Sequence, residues 1–289
     1  MKKTFKAIII FCFAILLVQN ICPADEIEYT EISKSYTMTA YEYAQEGDYN
    51  KAIRIYGVAL KYDKNNYAAY VLRGKAKAEL KDYVGASNDF SQAIKINSEC
   101  FPAYYNRAKV RITKNNYKGA LEDYSEAINL RPAFATLYTE RAELYKYFKD
   151  YKNALKDYSN AINITQDSQT YVDRALFRNS LNDTNGAIED YTKAIYKKSK
   201  DSNLYYQRGL LYTATKQYEN AIKDYTKVIK LNPTHADAFY NRGLTYAMDK
   251  KYKAGIADLK TAKDLYQTQG DTEKYEQAEQ FINKVQSKK

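Results

Sequence analysis

Histidine is almost missing from this sequence of 289 residues: His235 is the only one. A single histidine removes most metal sites, which need several ligands, and most arrangements with a general base beside a nucleophile. Cysteine is nearly as scarce. Of three, Cys12 and Cys22 fall within the first 24 residues, so beyond that stretch Cys100 stands alone and no internal disulfide can form. There is no glycine-rich phosphate loop, no CxxC and no HExxH. No metal and no cofactor is expected, and stability has to come from packing.

The first 24 residues read as a secretory signal peptide. Lys2, Lys3 and Lys6 form a basic start, Ala7 to Val18 an apolar run, and "CPA" at 22–24 puts small residues three and one before a cut, with Asp25 and Glu26 following. The run is short for a stable membrane span. An uncleaved anchor is the alternative. The reading implies export to the periplasm or cell envelope, or secretion, with no stable span in the mature chain. Removing these residues lowers the formal charge from +10 to +7. The remaining charges are interspersed rather than gathered into a tail, as on a solvated helical surface.

What the sequence does have is a period. Ala52, Ala86, Ala120, Ala154, Ala187, Ala221 and Gly255 follow one another at 34, 34, 34, 33, 34 and 34 residues. Seven units result, near 33–66, 67–100, 101–134, 135–167, 168–201, 202–235 and 236–269. Within a unit, position 4 is aromatic (Tyr36, Tyr70, Tyr104, Tyr138, Tyr171, Tyr205, Phe239) and position 8 is small (Ala40, Gly74, Ala108, Ala142, Ala175, Gly209, Gly243). Positions 20, 24 and 27 read small, aromatic, small, as in Ala120, Tyr124 and Ala127. Spacings of three and four keep each set on one helical face, so each unit predicts two amphipathic helices, the small residues allowing close approach and the tyrosines filling the space between. "GDY" at 47–49, "KDY" at 81–83 and 149–151, and "NNY" at 115–117 place Asp or Asn at the N-cap of the second helix. Pro132 and Pro233 fall in the link to the next unit.

No single pair could bury its apolar face alone, which demands a stacked all-α solenoid of helix–turn–helix repeats. The pattern of aromatic and small residues closely resembles the tetratricopeptide repeat family. The resemblance implies a right-handed superhelix with first helices lining a concave face, and a non-enzymatic scaffold binding a protein or peptide. Residues 25–32 would be a short lead-in. After Gly270, Tyr275, Ala278, Ile282 and Val285 form an apolar stripe suited to a C-terminal capping helix within 270–289.

Position 7, commonly apolar in that family, is Arg73, Arg107, Arg141, Arg174, Arg208 and Arg242, and position 23 is Asp89, Asp123, Asp157, Asp190, Asp224 and Asp258. The first unit lacks both, with Thr39 and Ile55. Joint presence and joint absence predict structural arginine–aspartate pairs between the two helices of a unit. Pairing of Asp with Arg of the next unit is the alternative geometry. Cys100 and His235 lie about four periods apart in a fold where neighbours alone touch, so no enzyme is read. Nucleic-acid binding is the competing class, but the tyrosines at positions 4, 17 and 24 are assigned to the core, and no nucleic-acid partner is expected. The resemblance assigns the inner groove to positions 2, 5, 6, 9, 12 and 13 of the first helices. Its early part then carries Lys75, Tyr105, Asn106 and Lys109, and its late part Tyr206, Gln207, Leu210, Tyr240, Asn241 and Leu244. These suggest a partner with an acidic stretch toward the lysines and apolar side chains toward the leucines. The leucines could equally pack against adjacent first helices.

Overall fold

The computed structural model describes residues 27–287; the signal sequence read over residues 1–24 and the first residues of the lead-in lie outside them. Among the described residues there are fifteen α-helices and no strand. They are α1 (Ile27–Gln45), α2 (Tyr49–Tyr62), α3 (Tyr67–Glu79), α4 (Tyr83–Ile96), α5 (Phe101–Thr113), α6 (Tyr117–Leu130), α7 (Ala135–Tyr147) and α8 (Tyr151–Thr165). There follow α9 (Ser168–Ser180), α10 (Thr184–Lys197), α11 (Ser202–Ala214), α12 (Tyr218–Leu231), α13 (Ala236–Met248), α14 (Tyr252–Gln269) and α15 (Thr272–Gln286). Helices α3, α5, α7, α9, α11 and α13 each begin at the first residue of a unit. In contrast, α1 begins at Ile27, so residues 27–32 extend the first helix instead of forming a separate lead-in. Helix α14, at 18 residues, runs further than the other second helices and ends at Gly270, whose φ of 76° closes it before α15.

Short polar residues start the second helices. The side chains of Asp48, Asp82, Asn116, Asp150 and Asp183 each accept from a backbone amide of the first turn, satisfying a donor that has no intrahelical partner. At α12 and α14 this place is held by Gln217 and Lys251, which make no side-chain cap.

The chain divides into two compact units between Leu144 and Tyr145. In the N-terminal unit α1 packs with α2, α3 with α4 and α5 with α6; α2 lies on α3 and α4 on α5, and the first helices α1, α3 and α5 also touch in succession. In the C-terminal unit α8 lies on α9, α9 packs with α10, α11 with α12, α13 with α14, and α15 closes the stack on α14. Here too a first helix, α11, touches the next, α13. Both cores follow one rule: small residues at positions 8, 20 and 27 are buried, and the position-24 side chains Tyr56, Phe90, Tyr124, Tyr158, Tyr191, Tyr225 and Leu259 fill the gaps. The approach is close enough that a β-carbon on Gly74 would come within 2.7 Å of the Phe90 ring, and one on Gly209 within 2.8 Å of Tyr225.

The position-4 aromatics, expected in the core, are not in it. Tyr36 is exposed, and Tyr70, Tyr104, Tyr138, Tyr171, Tyr205 and Phe239 are half-buried at the rim. The reason is amphipathic: the tyrosine ring covers apolar surface while its hydroxyl stays near water or a turn carbonyl, as Tyr138 Oη donates to Pro132 O and Tyr205 Oη to Ser199 O.

Candidate functional site

In the six units that carry it, the position-7 arginine lies beside the position-4 ring. Six guanidiniums sit 5.4 to 6.0 Å from the ring of the aromatic residue three positions earlier. In Arg73–Asp89, Arg107–Asp123, Arg174–Asp190, Arg208–Asp224 and Arg242–Asp258, Nε and Nη2 each donate to one carboxylate oxygen at 2.6 to 3.0 Å. All five lie within one helix pair. The aspartates are buried, so the two parallel bonds compensate a charge that water cannot reach. Asp157 is buried as well, and Arg141 lies over Tyr138.

Two further residues join this lattice that the sequence reading did not single out. Nη1 of Arg107, Arg141, Arg174, Arg208 and Arg242 donates to the hydroxyl of Ser91, Ser125, Ser159, Thr192 and Thr226 in the preceding pair, at 2.8 to 3.1 Å. Each hydroxyl in turn donates to the carbonyl four residues before it, which turns its lone pairs toward the arginine. The second is position 11. Where it is Lys77, Arg111 or Arg178, it adds another cation to the aspartate at 2.8, 2.9 and 3.1 Å. Where it is Tyr212 or Tyr246, its ring lies near the arginine instead. Gly85, Gly119 and Gly186 accompany the basic choice: Arg111 and Arg178 donate to the Gly119 and Gly186 carbonyls, and a β-carbon on Gly119 would stand 3.1 Å from Arg111 Nη1.

This scaffold presents the first-helix residues. In the N-terminal unit Lys75 and Lys109 are exposed, and Lys109 Nζ sits 5.4 Å from the centre of the Tyr105 ring. Tyr105 stacks on Phe101, meets Phe134 edge-on, and donates to Glu140 Oε1 at 3.2 Å. Burial, with the Glu140 charge and hydrogen bond, pushes the Tyr105 phenol up to about 12. Glu140 Oε2 is buried without a hydrogen-bond partner among the described residues. Asn106 donates to Pro102 O at 2.7 Å on its own helix, which uses one of its two amide hydrogens.

In the C-terminal unit Asn241 Nδ2 donates to Tyr206 Oη at 2.9 Å, and the Tyr206 ring lies 4.9 Å from that of His235. His235 is spent on structure: its Nδ1 accepts from the Ala238 amide and caps α13. Burial favours the protonated form of Asp237, but the Tyr266 hydroxyl at 2.7 Å and the Lys274 ammonium at 3.0 Å outweigh it and hold its carboxyl below the usual range. Leu210 and Gln207 are half-buried. Leu176, which occupies the same place one unit earlier, is 53% exposed. Tyr240 and Leu244 pack against the cluster of Leu259, Ile282 and Val285, and Tyr240 meets Phe281 edge-on at 5.9 Å. The chain's own α15 therefore already covers part of these two side chains.

Among the described residues no group of three or more His, Cys, Asp or Glu is placed to hold a metal ion, and no helix is long and apolar enough to cross a membrane. Burial pushes the Cys100 thiol up, away from the reactive thiolate.

A family profile described as TPR repeat matches residues 109–146 and 209–249, and one described as tetratricopeptide repeat matches residues 37–99. The search of curated proteins found no match. Among solved structures, YrrB, described as a TPR protein with an unusual peptide-binding site, is 25% identical, with a TM-score of 0.54 over 66% of this chain and 97% of its own. The C-terminal part of a TPR repeat-containing protein from Cytophaga hutchinsonii is 16% identical, with a TM-score of 0.67 over 79% of this chain and 95% of its own. A tetratricopeptide repeat protein from Parabacteroides merdae is 18% identical, with a TM-score of 0.54 over 85% and 98%. With the repeated helix pairs and their small-residue contacts, these matches show that the chain belongs to the tetratricopeptide repeat family.

Proposed function

We propose that this protein is a non-enzymatic scaffold that binds a protein or peptide through the exposed side chains of its first helices. Tetratricopeptide repeats indicate a protein-interaction scaffold, and His235 and the buried Cys100 are both committed to structure. The observation that carries the reading is the leucine ridge of the C-terminal unit. Leu176 stands more than half in water, Leu210 follows it one unit on, and the Tyr206 hydroxyl accepts from Asn241 while keeping its own hydrogen to donate. Exposed apolar side chains with a few placed polar groups are what a bound segment's own apolar side chains require. In the N-terminal unit, Lys75 and Lys109 supply positive charge suited to an acidic stretch.

Capturing the partner from a native extract and identifying it by mass spectrometry supplies the ligand. Changing Leu176 and Leu210 together to Ala then costs about 1–3 kcal/mol of binding, mostly through faster dissociation. Reversing Lys75 and Lys109 to Glu slows association in a salt-sensitive way. Wild-type binding by both folded double variants removes the assignment. The basic start and apolar run of residues 1–24 support export to the periplasm or cell envelope, or secretion. Sequencing the natural N-terminus tests this, with Asp25 as the expected first residue.

A further inference from the structure

The arginine–hydroxyl bonds do something the arginine–aspartate pairs cannot. The pairs join two helices of one hairpin, whereas Nη1 reaching Ser91, Ser125, Ser159, Thr192 or Thr226 joins one hairpin to its predecessor. The arginine is held flat by its carboxylate, so the direction of its third nitrogen is fixed. A hydroxyl anchored to its own helix must meet it at one relative placement of the two hairpins.

The first junction lacks this bond. The residue 16 positions before Arg73, the separation found at four of the five other junctions, is Gly57, which has no hydroxyl. Space is open there: a β-carbon on Gly57 would meet nothing within 4 Å. The first hairpin also has Thr39 and Ile55 in place of the Arg and Asp. Its fully buried Tyr56 carries a hydroxyl without a hydrogen-bond partner among the described residues, a group whose desolvation is uncompensated. The polar tie at this junction is Asn66, which caps α3 and donates to Ser33 and Thr37 of α1. Asn66 sits in the linker between the hairpins, where a pivot would be.

We infer that these hydroxyls, each at position 25 of its unit, are positioning residues that set the register between successive hairpins, and that the first hairpin, residues 27–66, lacking that lock, opens as a unit about Asn66. This stands apart from the binding surface proposed above.

Hydrogen exchange of the full chain, read peptide by peptide, tests it. In the wild type the amides of α1 and α2 exchange together, about tenfold or more faster than those of α5 and α6. A terminal hairpin could fray for other reasons, so the deciding comparison is Gly57→Ser against Gly57→Ala. Alanine is the better helix former, but serine alone restores the hydroxyl facing Arg73. Gly57→Ser slows exchange throughout α1 and α2 by about tenfold, and by more than Gly57→Ala does. Thr226→Val, which keeps the side-chain shape and removes the hydroxyl, speeds exchange in α13 to α15 severalfold. The inference is overturned if alanine at position 57 protects as well as serine, or if Thr226→Val leaves exchange unchanged.

Discussion

At the scale of the residue, the buried aspartates differ in what would be left if their arginine were lost. Asp123 would keep Arg111 at 2.9 Å. Asp224 has Tyr212 at the matching position, and burial already raises its pKa against the opposing pull of Arg208. Removing one partner of a buried pair strands the other charge, at a cost of about 3–5 kcal/mol. Arg208→Met should approach that figure in urea denaturation, and Arg107→Met should cost clearly less. Equal losses would mean that the second cation does not share the carboxylate. Asp167 gives a pH signature. Burial pushes its carboxyl up, but hydrogen bonds from the Thr165 and Thr170 hydroxyls and from backbone amides of α9 outweigh this and hold it at about 2. A folded-state value below the unfolded one of about 3.9 gives stability that is present above that pH and lost as the pH falls toward 2. The site is exposed, so solvent screening leaves on the order of 1 kcal/mol. Denaturation at pH 5 and pH 2.5 should show the wild type losing about that much more than Asp167→Asn.

At the scale of the element, the hairpin turns carry a cost that the caps offset. Two residues past the end of each first helix of the seven units stands one left-handed residue: Gly47, Lys81, Asn115, Lys149, Asn182, Lys216 and Lys250, with φ between 58° and 85°. Glycine adopts that conformation freely and asparagine tolerates it, whereas lysine pays about 1–2 kcal/mol in steric crowding of its β-carbon. Against glycine's larger entropy loss on folding, Lys216→Gly should raise stability by about 0.5–1 kcal/mol, and Gly47→Lys should lower it by a similar amount. Thermal denaturation of the two variants reads both signs; no gain from Lys216→Gly would mean that the lysine side chain earns its place elsewhere.

At the scale of the whole molecule, one contact type repeated down the chain makes the fold readable in the sequence. Alanines at positions 20 and 27 recur because two backbones meet there, and such a demand leaves a period in the sequence. The arginine and aspartate positions also left a signal, present together or absent together. The hydroxyl at position 25 left a fainter one. Three serines and then two threonines hold a half-buried to exposed helical place where they look like ordinary surface residues, and their role depends on how the next hairpin sits. The rim placement of the position-4 tyrosines was hidden for a similar reason, since helical spacing gives a face but not its depth. What covers Tyr240 and Leu244 was not legible either, because the apolar stripe of α15 did not say which first-helix residues it would reach. For the binding surface the sequence offers chemistry without contacts, so location has to be measured. A photo-crosslinking amino acid placed singly at Leu176, Leu210 or Lys109 on first helices, and at the widely exposed Tyr196 on α10, reports it directly in the native extract. The account predicts that the first-helix positions capture a common protein and that Tyr196 does not. Capture from Tyr196 with none from Leu176, Leu210 or Lys109 would contradict it.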